Sequence, residues 1–184
     1  MDPIRLIEKY YDPGSQAYFF LVEHGKAVAK KSLEIARRLS GLNPDFAFIE
    51  EAAMLHDIGI FGTNLPKIGC FGAEPYISHG CIGRQLLEVE GFPAHALVCE
   101  RHVGMGITVA DIEINSFPLP KREMLPVSLE EKIICFADKF YSKDRDTLSV
   151  ARPIDKVREM VRNYGEDKLR RFDEWAALFG ELAS

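Results

Sequence analysis

Apolar positions recur along this chain at helical spacing, and no segment alternates cleanly at period two. A short helix opens at Pro3, and Asp12-Pro13-Gly14-Ser15 reads as a turn. A long helix is predicted from about Gln16 to Leu39, ended by Gly41, with His24, Val28, Ser32, Ile35 and Leu39 on one face. Asn43 is the expected cap of the next helix, with Pro44 at its first position and Ile49, Ala53 and His56 on one stripe. A glycine-rich break follows from Ile58 to Pro75. Tyr76 to Glu90 then reads as a helix stopped by Gly91, and Pro93 opens a short one on which His95, Val98, Cys99 and His102 align. Residues 103–127, with Pro118, Pro120 and Pro126, read as irregular. Ser128-Leu-Glu-Glu131 is a capping box that launches a helix carrying Ile134, Asp138 and Tyr141. Two amphipathic helices, about Pro153–Tyr164 and Glu166–Leu182, close the chain. The expected fold is therefore a single all-α domain over residues 1–184.

Composition narrows the classes. With 184 residues, 47% of them apolar, the chain can bury a core without disulfides. The net charge of −5 and the lack of a Lys/Arg block argue against wrapping nucleic acid, because phosphate neutralisation needs a basic footprint. The apolar run Ala17–Val22 falls far short of the ~20 residues of a membrane span. Met1-Asp-Pro-Ile-Arg5 lacks the basic start and apolar core of a secretion signal. Cys70, Cys81, Cys99 and Cys135 form no Cys-x-x-Cys pair and read as buried, reduced thiols. A cytoplasmic protein is expected.

The candidate chemistry lies in polar residues on faces that should be buried. Asp57 follows Ala52-Ala53-Met54-Leu55, and Asp138 follows Ile133-Ile134-Cys135-Phe136-Ala137. A buried carboxylate requires a partner, either a basic side chain or a bound cation. Taken singly, each histidine on an apolar face reads more readily as a hydrogen-bonded core residue. Together His24, His56, Asp57, His79, His102 and Asp138 suit a divalent metal, which satisfies carboxylates and accepts neutral imidazoles. Such a donor set suits Fe, Mn, Zn or Co without thiolate.

Leu55-His56-Asp57-Ile58-Gly59 resembles the signature of the HD superfamily of metal-dependent phosphohydrolases, in its HDIG form. His24 in His-Gly-Lys-Ala-Val-Ala is similar to the family's first-helix histidine, and Ala137-Asp138-Lys139 to its closing aspartate. The likeness spans about residues 20–142, with the helices of about 150–182 as an addition to the bundle. It implies that His24, His56, Asp57 and Asp138 hold a first metal. His79 and His102 match the added histidines of binuclear members, with Asp57 bridging two ions of Fe or Mn, or of Zn, Co, Ni or Mg. Asp57, His79 and His102 would then be the catalytic group. The arrangement resembles iron-dependent hydrolases of dinucleoside tetraphosphates and small HD phosphohydrolases with counterparts of Ile107-Thr108 and Leu125-Pro126. Ile60 stands where a basic residue often follows the motif, and Arg101-His102 replaces the double histidine of the cyclic-di-GMP-cleaving members.

The implied activity is hydrolysis of a nucleotide or other small phosphate ester by a metal-activated hydroxide. The same superfamily contains binuclear-iron oxygenases and noncatalytic sensory or scaffold modules, so both stand as alternatives. Arg84, Arg101, Lys139 and Lys67 are the candidate phosphate contacts, and the segments 60–75 and 103–127 the candidate walls or lids of a pocket. His95 shares the face of His102 and reads as core or surface packing, with a support for the site or a substrate contact as the alternatives. The expected partner is a small-molecule phosphate ester, with a homodimer as the possible assembly and neither membrane nor wrapped nucleic acid.

Overall fold

The computed structural model describes residues 1–181. Among these residues the α-helices are α1 (Pro3–Ile7), α2 (Gln16–Arg38), α3 (Phe46–Leu55), α4 (His79–Val89), α5 (Pro93–Arg101), α6 (Val109–Asn115), α7 (Leu129–Asp138), α8 (Ile154–Arg162) and α9 (Glu166–Leu178). The expected all-α class holds. A two-residue hairpin, β1 (Asn64–Leu65) against β2 (Cys70–Phe71), is the only sheet among the described residues, in antiparallel register Asn64 to Phe71 and Leu65 to Cys70. It lies inside the glycine-rich break, where strands this short leave no alternating pattern.

The helices form because their apolar stripes face one core. On α2 the residues Leu21, His24, Val28, Ser32 and Ile35 are buried. On α7 the run Ile133 to Ala137 is fully enclosed, since the helix is covered by α2, α3, α5 and α9. Phe136 stacks on Phe172 of α9 (centroids 4.9 Å apart) and meets Phe179 edge-on at 5.2 Å. Each such ring buried contributes about 1.5–3 kcal/mol. That contact fixes the C-terminal helices beside the helix that carries Asp138.

Several local readings change. Asn43 does not cap α3; it adopts φ 53° at the end of a 3₁₀ turn, and Asp45 is the cap, accepting from Phe48 N at 2.9 Å. The residue after Pro44 thus takes the extended cap geometry and the helix starts later. Residues 103–127 are not wholly irregular, because α6 interrupts them. Its start is a full capping box in which Thr108 Oγ1 accepts from Asp111 N while Asp111 accepts from Thr108 N. The Ser128 box is only half formed: Ser128 Oγ accepts from Glu131 N, but the Glu131 carboxylate turns to Val127 N and Arg101. The last helix ends at Leu178, and Leu182, its expected end, lies outside the described residues.

Gly59 positions the site. A Cβ there would lie 2.2 Å from His79 O and 2.4 Å from Gly83 N. Only glycine lets the 3₁₀ turn Ile58–Gly62 pack this closely on α4, which brings Asp57 and His79 together.

Candidate metal centre

Five elements deliver six side chains to one point. His24 comes from the middle of α2, His56 and Asp57 follow α3, His79 opens α4, His102 follows α5, and Asp138 ends α7. None is more than 9% exposed. Three of the histidines stand at helix or 3₁₀ ends, where carbonyls lack a full set of intrahelical partners. Each turns its Nδ1 onto the carbonyl three residues back: His56 to Ala53 O (2.6 Å), His79 to Tyr76 O (2.6 Å) and His102 to Cys99 O (2.8 Å). With Nδ1–H donating, the Nε2 lone pair points into the cluster, the arrangement metal-binding histidines use.

Asp57 divides the cluster. Its Oδ2 lies 3.4 Å from His24 Nε2 and 3.5 Å from His56 Nε2, and its Oδ1 lies 3.3 Å from His79 Nε2 and 3.4 Å from His102 Nε2. Asp138 Oδ1 joins the first pair, 2.8 Å from His24 Nε2 and 3.5 Å from His56 Nε2. His79 and His102 approach each other to 3.1 Å through their Nε2 atoms. Donor atoms of His24, His56 and Asp138 all fall within 4.8 Å of one another, as do those of His56, Asp57 and His102. Neither oxygen of the fully buried Asp57 has a hydrogen bond of good geometry. Oδ1 faces the Nε2 atoms of His79 and His102, and Oδ2 faces those of His24 and His56 with the Lys143 ammonium 2.7 Å away, a donor set that a divalent cation would satisfy.

Burial and neighbouring charges set the protonation states. Burial, with Lys143 adding to it, pulls His24 down to about 4, and burial takes His102 to about 3, so both are neutral near pH 7. Burial alone would raise Asp57 and Asp138, but their cationic neighbours outweigh it. Lys143 leads for Asp57 and Lys139 for Asp138, and both carboxyls are held well below the usual range. His56 is also desolvated, yet Asp57 and Asp138 raise it on balance.

Three of the six, His79, His102 and Asp138, line a cleft of about 560 Å³. Lys139 lines it and is bound to Asp138 Oδ2 (2.7 Å) and His102 O (3.1 Å). The other three candidate phosphate contacts lie elsewhere. Arg84 is held by Glu88 and Glu100, Arg101 bonds both oxygens of Glu131, and Lys67 is exposed beside the hairpin. His95 faces Glu51 (3.2 Å) and packs edge-on against Phe48, away from the cluster. Residues of 103–117 line the cleft, whereas none of 60–75 does.

Three cleft residues had no signal that periodicity could read. Lys143, in the connection after α7, places Nζ 2.7 Å from Asp57 Oδ2 and 5.5 Å from the ring centroid of Tyr76. Tyr76 itself stacks on His79 (4.5 Å, 26°). Arg152 lines the cleft with no carboxylate in ion-pair distance among the described residues; it bonds Tyr141 O at 3.2 Å. Charged residues in a connecting loop carry no face, so only the folded chain brings them to the site.

A helical bundle with His and Asp donors in this order defines the class, and the HD domain family model matches residues 21–142. The chain belongs to the HD domain family. It is 36% identical over 122 residues to an uncharacterised protein of Methanocaldococcus jannaschii, covering 64% of each chain. It is 27% identical over 179 residues to a tRNA (cytidine(56)-2′-O)-methyltransferase of Thermoplasma volcanium, covering 97% of this chain and 45% of that one. A protein of the same name from Picrophilus torridus is 31% identical over 127 residues, covering 68% of this chain and 32% of that one. The chain therefore spans less than two thirds of the length of each of these relatives. No solved structure matches it. Among the described residues, no helix is long and apolar enough to cross a membrane.

Proposed function

We propose that the protein is a metal-dependent phosphohydrolase acting on a nucleotide or other small phosphate ester. One observation carries the reading: the two oxygens of Asp57 are shared between two pairs of histidines, one of which, His79 and His102, lines a cleft. His24, His56, Asp138 and Asp57 Oδ2 would hold one ion, and Asp57 Oδ1, His79 and His102 a second, with Fe or Mn the expected metals. Divalent metal so held supplies positive charge for phosphoryl oxygens and lowers the pKa of bound water.

The protein's own side chains do the rest. The carbonyls of Ala53, Tyr76 and Cys99 fix the tautomers of the three end-of-helix histidines. Lys139, already bound to Asp138, holds that carboxylate ionised and oriented. Lys143 and Arg152 present cations to the cleft, and among the described residues Arg152 has no carboxylate to neutralise it. Tyr76, stacked on His79, limits the rotation of that imidazole. The methyltransferase activity named for two relatives belongs to chains of which this one spans under half, and it is not carried over. The homodimer, the absence of membrane contact and a cytoplasmic setting remain part of this proposal.

The test is a phosphate-release screen over nucleotides, dinucleoside polyphosphates, sugar phosphates and RNA ends, with Mn²⁺ or Fe²⁺. Turnover of at least one ester, lost in Asp57→Ala, is expected. A metal-loaded protein that releases phosphate from none of them would overturn the reading, and oxygen consumption would point to an oxygenase instead.

A further inference from the structure

The cleft is built only partly by the family segment. Residues 21–142 match the family, yet the lining includes Arg152, Met160, Asn163, Tyr164 and Lys168, from α8, α9 and the chain on either side of α8. Another part of the lining, Val103–Ile107 with Asn115 and Phe117, is tied to the same C-terminal helices. The Lys168 ammonium holds the Asp111 carboxylate, and Arg171 donates to Met105 O at 2.6 Å. The two parts of the lining are therefore fixed to one another before any ligand arrives.

The cleft lining is of two chemical kinds. Lys139 and Lys143 stand beside the cluster, on His102 O and on Asp57, and Arg152 adds a third cation. The same cleft offers the flat or soft surfaces of Phe117, Tyr164 and Met160 and two carboxamides, Asn115 and Asn163. Asn163 makes no side-chain hydrogen bond among the described residues, and Asn115 uses only its amide nitrogen, on Asp111 O at 2.9 Å. Tyr164 is 46% exposed, so its ring is free to accept a partner. Aromatic faces bind flat rings in a way that tolerates ring identity, and free amide groups select among ring edges. A volume of about 560 Å³ is in the range that takes an organic ligand, well beyond a phosphoryl group alone.

We propose that Asn115, Phe117, Met160, Asn163 and Tyr164 form a subsite for a flat heteroaromatic ring, that of a nucleobase, and that the C-terminal helices thereby set substrate specificity. The placement of the phosphoryl group beside His79 and His102 rests on the phosphohydrolase reading; the ring subsite itself does not. The four common nucleoside 5′-monophosphates, the corresponding nucleosides and ribose 5-phosphate serve as calorimetric probes on chelator-treated protein, so binding is read without turnover. At least one nucleotide should bind about tenfold or more tightly than ribose 5-phosphate. Tyr164→Ala should weaken that nucleotide by about 5- to 100-fold, the span of an aromatic stack. Asn163→Ala should weaken it by about 2- to 10-fold, as for a single neutral hydrogen bond. Both should leave ribose 5-phosphate unchanged. Both positions are exposed, and unchanged melting temperatures would confirm that the variants fold. Equal binding of ribose 5-phosphate and all four nucleotides, or an equal loss for every probe, would overturn the subsite. Nucleoside binding weakened by Tyr164→Ala with no phosphoester hydrolysed would support the subsite and sink the hydrolase reading. Hydrolysis of ring-bearing and ring-less esters at one kcat/KM, untouched by Tyr164→Ala, would do the reverse.

Discussion

Replacing Lys143 with Met separates the lysine from the metal it neighbours. In the metal-free protein Lys143 is the only lysine or arginine within ion-pair distance of Asp57 among the described residues. Asp57 is fully buried and has no other cation except imidazoles, of which His24 and His102 are neutral. Lys143→Met therefore leaves a buried carboxylate without its counter-charge. Breaking such a pair costs about 3–5 kcal/mol. The Lys143 side chain is 18% exposed, so the lower end, about 3 kcal/mol, is appropriate. For a chain of this length 1 kcal/mol moves Tm by about 2–4 °C, giving a fall of about 6–12 °C. Divalent metal supplies the missing charge and no longer competes with an ammonium for Oδ2. The Tm rise on adding Mn²⁺ should therefore be larger in Lys143→Met than in the native protein, where about 2.7 kcal/mol is expected at 100 times Kd. Scanning calorimetry of both proteins, with chelator and with Mn²⁺, gives all four values. Equal metal-induced shifts, or a chelated variant melting within about 2 °C of the native protein, would refute the reasoning.

The glycine of the HDIG motif has a steric role. Gly59→Ala forces a Cβ against His79 O and Gly83 N, so it should lower stability by about 3 kcal/mol or more and weaken metal binding, read as urea midpoint and Mn²⁺ affinity. Gly41→Ala, which meets nothing within 4 Å, is the control and should leave both unchanged. The Asp111–Lys168 clamp should show in the acid limb of stability. Burial raises the Asp111 pKa, but Lys168 and Thr108 outweigh it and hold it below its ordinary value. Its contribution is then complete above about pH 4 and lost as pH falls through the lowered folded value. The stability difference between native protein and Asp111→Asn should shrink below about pH 4; a difference constant into acid would contradict the clamp.

The six metal-site residues were legible because each breaks an apolar pattern. Asp138 follows five buried apolar residues, and His56-Asp57 end the equally apolar α3, so their presence demanded a partner. What the sequence hid has different causes. Helix α6 is seven residues long and buries only Ile112, and it is flanked by glycines and prolines, so no apolar stripe marks it. Its capping box uses Asp111 rather than Glu or Gln, and so escapes the usual pattern. Lys143 and Arg152 act from a connection, where periodicity carries no information. Arg84 and Arg101 stood close to ligands in sequence, but buried Glu100 and Glu131 claim them, an allocation set by how neighbouring helices pack.

The central claim is that Asp57 joins two histidine pairs into a divalent-metal centre. Metal analysis by mass spectrometry, on native protein and Asp57→Asn after exposure to Mn²⁺ or Fe²⁺ and gel filtration, tests it most directly. The account predicts about two ions per native chain and one or fewer in the variant. Fewer than about one ion per native chain, or a content unchanged by Asp57→Asn, would contradict it.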